Sequence, residues 1–224
     1  MFNELLFIAE SFVVSLFALG SLFFGSAGLF SFVSLCWVIG NVFVLKEATF
    51  LGLSIITSDV FAVGCDLGIT LLREYYGQKE AKRAIALGMF SAVFFLVVSQ
   101  FLLWYIPSNH DAFHLHFFAL FSGMPRIILS SLGVAFLSKS LNLFLFNFFT
   151  LIWGDRNFQL KTTLSLCISQ FFDTTFFSFL ALYGTVASVW TIIGFSYAVK
   201  CLAIFICVPF VITLHTFIRK RRGI

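Results

Sequence analysis

Seven long apolar runs follow one another along the chain with only short polar stretches between them: Leu5 to Phe24, Leu29 to Leu45, Phe50 to Leu72, Ala84 to Ile106, Phe117 to Phe149, Thr163 to Tyr183 and Val189 to Leu214. About twenty such residues make one helical crossing of a bilayer, and in lipid the backbone is satisfied only within a helix or a closed barrel. The runs are continuous rather than alternating, which argues against barrel strands. Charged residues make up 11% of the 224, where a soluble domain carries about a quarter. The expected fold is therefore an all-α polytopic membrane protein of seven transmembrane helices, with no length left for a soluble domain. The fifth run is too long for one straight crossing and has Pro125 near its start, so it must tilt, kink or extend beyond the membrane.

Lys and Arg are retained on the cytoplasmic side, and they are unevenly placed here. Arg73, Lys79, Lys82 and Arg83 follow the third run, Arg156 and Lys161 the fifth, and Arg219 to Arg222 the seventh. The loops of the other side hold Lys46, together with His110, Asp111, His114 and His116. This places the N-terminus outside and the C-terminus in the cytoplasm. The opening MFNELLF has no basic region and no small-residue cleavage site, so the first run is expected to remain as a helix rather than be removed as a signal peptide. The basic C-terminal tail reads as a topology anchor and a contact for anionic lipid head groups, and nucleic-acid binding is not expected.

The 34 Phe residues are read mainly as a compositional bias. The five cysteines lie in apolar runs without C-x-x-C spacing, so they are read as free thiols packed as small hydrophobes.

What such a chain does is carried by the polar groups it keeps inside the membrane. Asp59, Asp66, Arg126, Lys139, Asp173 and Lys200, with the neutral Asn41, Gln100, Asn142 and Gln170, lie within or at the edges of the runs. Each ionisable group costs several kcal/mol at the centre of a bilayer unless it is paired, hydrated or functional. Pairing between helices merely to hold the bundle is the competing reading for any one of them. As a set they point to an internal polar cavity. A weak repeat, S-x-x-x-(N/D)-x-x-x-F, places Ser138, Asn142 and Phe146 in the fifth run and Ser169, Asp173 and Phe177 in the sixth. The i, i+4 spacing puts each polar pair on one helical face.

Enzyme signatures are poor. There is no G-x-S-x-G, no H-E-x-x-H and no P-loop. Asp59 and Asp66, two turns apart on one helix, cannot share a proton as a catalytic dyad does. His110, His114, His116 and Asp111 lack a recognised metal-ligand spacing. The chain is read as a non-enzyme, with no catalytic residue, metal or cofactor.

The residues from Gly40 to Leu214 resemble the queuosine precursor transporter family, also called the vitamin-uptake-transporter-like or VUT family. Glu74, Tyr76, Gly77, Lys79, Lys82, Arg83 and Ile85 are similar to that family's E-x-Y-G-x-K-x-A-R-R-x-I signature. Asn41 and Lys46, Pro125-Arg126-Ile127, Arg156-Asn157, Ser169-Gln170 with Asp173-Thr174, and Tyr197 with Lys200 match further family motifs. Thr70 occupies a position that is usually Asp, with Asp66 one turn back on the same face. Lys139 and Asn142 stand where the family often has Gln and Asp, and Cys207-Val208-Pro209 where many members have D-T-P. The family has six helices, so the resemblance implies a six-helix transporter domain over 28–218, preceded by an additional N-terminal transmembrane helix at 1–27 and followed by a basic cytoplasmic tail at 219–224.

The resemblance further implies import of a 7-deazaguanine base such as queuine, preQ1 or preQ0 across the inner membrane, by facilitated or ion-coupled transport. The implied substrate-binding residues are Asp173 as the main contact to the base edge, Gln170 beside it, and Arg126, Lys200, Asp66, Asn41 and Tyr197, with Glu74 and Tyr76 forming the cytoplasmic rim. Phe171, Phe172 or Tyr197 are candidates to stack on the base. The partners expected are a purine-like small molecule, the bilayer and, as a further candidate, a second copy of the chain as a homo-oligomer. The alternatives kept are a substrate-capture subunit for a vitamin-like solute with an energising ATPase partner, a membrane enzyme acting on a lipid, and a structural bundle whose charges are all paired.

Overall fold

The first two runs form helices α1, Phe2–Ser21, and α2, Gly25–Phe43, joined by a short 3-10 turn over Leu22–Phe24 in the computed structural model, which describes residues 2–50, 53–109, 111–154, 157–182 and 189–222. Next comes a two-stranded antiparallel ribbon, β1 Glu47–Phe50 paired with β2 Leu53–Ile56. The remaining helices are α3 Asp59–Tyr76, α4 Gln78–Trp104, α5 His114–Phe121, α6 Met124–Trp153, α7 Phe158–Leu182 and α8 Val189–Arg222. His110 and Arg156 lie outside the described residues.

Two of the seven runs start or continue differently from the expectation of uninterrupted helix. The run from Phe50 does not begin as helix: it first completes the ribbon, where Thr49, Ile55 and Ile56 suit a strand. The amides of Phe61 and Ala62 then bond to the Ser58 carbonyl and open α3. The long fifth run breaks at Ser122 and Gly123, and Pro125 sits in the first turn of α6, where its missing N–H costs nothing.

α3 is the centre of the bundle and packs against α1, α2, α4, α6, α7 and α8. Its residues from Val63 to Leu72 are all buried. It ends at Gly77, whose φ of 89° is cheap only without a Cβ, and this lets α4 turn straight back. α4 shows how the bundle meets lipid. Phe90, Phe94, Val97 and Phe101 are exposed, while Ala81, Ala84, Gly88 and Ala92 face inward. Small residues let membrane helices approach closely; a Cβ on Gly88 would collide with the Trp37 ring of α2.

Four stretches are long and apolar enough to cross a membrane: Phe2–Phe43, Gln78–Trp104, His114–Trp153 and Ile193–Val211. The first and third exceed one crossing, and each contains one of the breaks just described. Together they make the chain a multi-pass, all-α membrane protein. α3 and α7 fall outside these stretches, and they are the helices that carry Asp59, Asp66, Gln170 and Asp173. α3 is shielded by its neighbours, and α7 turns Phe176 and Leu180 outward, so both keep their polar side chains on inward faces.

Candidate functional site

At the ribbon end of the bundle, α2, α3, α6, α7 and α8 enclose a cavity of about 100 Å³. A water needs roughly 10–15 Å³ of such space, so the cavity has room for several waters or one small planar ligand. It is lined by Trp37 and Asn41 of α2, Asp59 and Phe61 of α3, Lys139 of α6, Asp173, Thr174 and Phe177 of α7, and Ser196 and Lys200 of α8. A larger groove of about 760 Å³ between α1, α2 and the ribbon has only Asn3, Glu10, Lys46 and Thr57 as polar lining and does not reach this charged set.

Each polar side chain is placed by helical phase. Thr174 and Ser178 recur at four-residue spacing on the inward face of α7, with Asp173 beside them. Ser196 and Lys200 do the same on α8. The Asp173 carboxylate accepts a hydrogen bond from Ser138 of α6 at 2.9 Å and one from the Lys200 ammonium at 3.0 Å, so the two polar patches of the weak repeat meet here. Lys200 also stands 3.8 Å from Asp59, which accepts from the Ser196 hydroxyl at 3.1 and 3.2 Å. The Thr174 hydroxyl is buried in the cavity wall with no hydrogen-bond partner among the described residues.

A second cluster lies behind the cavity wall. Lys139 passes over the Trp37 ring, 5.3 Å from its centroid, and bonds to Asp66 at 2.8 Å. Gln170 donates to the other oxygen of Asp66. Thr70 donates to the Asp66 carbonyl and accepts from Asn142. Asp66 is 0% exposed, and neither it nor Thr70 nor Gln170 lines the cavity.

The expected binding residues therefore separate. Asp173, Lys200 and Asn41 line the cavity, Asn41 with its amide donating to the Trp37 carbonyl at 2.9 Å. Asp66 and Gln170 lie one residue behind it. Arg126 is exposed on the first turn of α6 and is not among the lining residues. Glu74 and Tyr76 are exposed at the far end of α3, about 22 and about 25 Å along the axis from Asp59 at roughly 1.5 Å per residue, so they cannot touch the same small ligand. Tyr197 packs edge-on against Phe171, ring centroids 5.3 Å apart, outside the lining. Phe171 and Phe172 are exposed, which removes them as stacking candidates for this cavity; Trp37, Phe61 and Phe177 are the rings present. Ser196 went unnoticed, and Thr174 was seen as part of a motif without being named a binding residue, because a lone hydroxyl on an apolar helix carries no sequence signal beyond its i, i+4 phase with Lys200 or Ser178. His114 and His116 sit beside Phe118 and Phe113 at the start of α5, and no group of three His, Cys, Asp or Glu gathers among the described residues.

No solved structure matches the chain. A relative from Bacillus subtilis (strain 168), named "Probable queuosine precursor transporter", is 30% identical over 190 residues, which is 84% of this chain and 83% of the relative. The family model described as "Putative vitamin uptake transporter" matches residues 67–214, a range that begins in α3 just after Asp66 and takes in Lys139, Asp173 and Lys200. With most of its length matched in both comparisons, the chain belongs to the vitamin uptake transporter family.

Proposed function

We propose that this protein imports a 7-deazaguanine base, a queuosine precursor or queuine, across the inner membrane, with all seven long helices crossing, the N-terminus outside and the C-terminus in the cytoplasm. The observation that carries the reading is the Asp173–Lys200 pair at 3.0 Å on the cavity wall. A guanine-like edge presents an N–H donor beside a carbonyl acceptor. Asp173 offers an acceptor beside the Lys200 donor, and each carboxylate oxygen keeps a free lone pair after bonding Ser138 and Lys200. The unpartnered Thr174 hydroxyl supplies a further polar contact, and Trp37, Phe61 and Phe177 supply flat apolar walls. The name of the Bacillus subtilis relative supports the same substrate class.

On this orientation the cavity lies in the outer half of the bundle, and Glu74 and Tyr76 lie at the cytoplasmic end beside the basic cluster of Arg73, Lys79, Lys82 and Arg83. Passage to the cytoplasm then requires the outer end to close and the Asp66–Lys139–Gln170 plug to open, as in alternating access. Transport proceeds by facilitated diffusion or with a coupled ion.

The reading is tested by uptake of labelled queuine into cells that neither make nor import it. Expression of the chain is expected to restore queuosine in tRNA, and Asp173→Asn is expected to abolish the gain. Absence of queuosine with the wild-type chain present in the membrane would refute the substrate assignment.

A further inference from the structure

The charges around the cavity do not balance. Asp66, behind the wall, and Lys139, which reaches the cavity lining, neutralise one another at 2.8 Å. That leaves Asp59 and Asp173 with the single ammonium of Lys200, which lies at 3.0 Å from Asp173 and at 3.8 Å from Asp59. Asp173 therefore has a close cation and a hydroxyl donor, whereas among the described residues Asp59 has the Ser196 hydroxyl alone within hydrogen-bonding distance. Asp59 is 4% exposed and its carboxylate lines the cavity. A carboxylate that shares its one ammonium, at the longer distance, with a second acid is incompletely compensated in a low-dielectric bundle, and the cavity beside it supplies the space for a positive group.

We propose that Asp59 is a specificity-determining residue that receives an organic ammonium group on the ligand. This deepens the transport reading and rests on it for the identity of the rest of the ligand. Asp173 and Lys200 hold the edge of the planar base. Asp59, on the other side of Lys200, takes the cationic side arm, with the Ser196 hydroxyl holding the carboxylate in place. A bare metal ion fits poorly: Asp59 and Ser196 supply too few oxygens, no group of three His, Cys, Asp or Glu gathers among the described residues, and Lys200 repels a divalent ion more strongly than a singly charged ammonium. Among 7-deazaguanines, one with a protonated aminomethyl arm is therefore preferred over its neutral cyano analogue.

Binding to the full chain in lipid nanodiscs tests this with two pairs of probes: aminomethyl- and cyano-7-deazaguanine, and benzylammonium and benzyl alcohol, which carry no base. The wild-type chain is expected to bind the aminomethyl base about tenfold more tightly than the cyano base, as for a charged hydrogen bond, and to be stabilised thermally by benzylammonium more than by benzyl alcohol. Asp59→Asn is expected to bring both preferences to within about twofold, and Asp59→Glu, which keeps the charge, to retain them. Equal binding of the two bases by the wild type, or an unchanged preference in Asp59→Asn, overturns the assignment. If neither base binds, the 7-deazaguanine reading falls, and the benzylammonium arm then decides the charge inference alone: discrimination that Asp59→Asn removes upholds it, and no discrimination overturns it. Should Asp59→Asn fail to give monodisperse protein, the wild-type comparison and Asp59→Glu decide the outcome.

Discussion

Lys139 and Lys200 both carry an ammonium group into the bundle, yet they meet their acids differently. Lys139 finds Asp66 at 2.8 Å with Gln170 closing the other carboxylate oxygen; Asp66 and Gln170 lie behind the cavity lining, which Lys139 reaches with its ammonium over the Trp37 ring. Lys200 stands between Asp173 and Asp59, nearer the first, with an unpartnered Thr174 hydroxyl close by in the same wall. The first cluster is a closed pair that ties α3, α6 and α7 together. The second leaves one charge and one hydroxyl unsatisfied where there is space for a ligand. Identical residue types thus serve packing in one place and binding in the other, and the difference lies in whether each carboxylate has an ammonium of its own; the Gln170 and Asn142 amide oxygens of the first cluster are without a hydrogen-bond partner among the described residues.

The most severe way to break that contrast is Lys139→Met, which leaves Asp66 buried without a counter-ion. Removing one partner of a buried pair costs about 3–5 kcal/mol, so the variant is expected to lose monodisperse yield and thermal stability in detergent. Asp66→Leu combined with Lys139→Met should recover most of the loss, since an apolar pair can replace a buried ion pair. A double variant as unstable as the single one would show that the pair does more than neutralise itself.

Asp173→Asn acts on the open cluster and should separate function from stability. Lys200 keeps Asp59, so no cation is stranded, and the thermal midpoint should fall far less than in Lys139→Met. Uptake should drop at least tenfold, as expected for loss of a charged hydrogen-bond acceptor. Wild-type uptake in this variant would move the binding function away from the cavity. Thr174→Val is smaller still. The hydroxyl has no partner among the described residues, so stability should hold, while ligand affinity weakens by about fivefold, roughly 1 kcal/mol. Measured binding that stays unchanged would remove Thr174 from the ligand's contacts. Arg126→Gln lies outside both clusters, exposed on α6, and uptake should remain within about twofold.

Much of the bundle was legible in advance because hydropathy reports directly on lipid contact. The runs of α1 and α2 lie within about four residues of the helices, those of α4, α7 and α8 overlap them with ends up to eight residues away, and the fifth merged α5 with α6; the intramembrane acids and bases could be named. The start of α3 could not. Leu53, Ser54, Ile55 and Ile56 are as apolar as a helix turn, and only their pairing with Glu47–Phe50 makes them a strand. The cross-contacts Asn3 to the Thr49 carbonyl and Phe7 to Phe50 dock that ribbon on α1.

The positions at which the chain departs from its family's pattern also gain a physical sense. Thr70 and Asn142, where acids are usual, are within hydrogen-bonding distance of each other at 3.4 Å. Asp66 and Lys139 are joined as an ion pair. The departures face one another across α3 and α6, so two neutral groups and one compensated pair occupy the space.

By itself the sequence determined that this is a multi-pass helical membrane protein, which family it belongs to, and which few side chains need an explanation inside the bilayer. Each of these follows from local composition, spacing or motif. The tertiary structure decided the partnerships: that Asp66 is spent on Lys139, that Lys200 is shared between Asp173 and Asp59, and that Glu74, Tyr76 and Arg126 stand away from the cavity. Those outcomes depend on the rotational phase and depth at which helices distant in the chain meet, and a one-dimensional pattern states which face is polar without stating what that face meets.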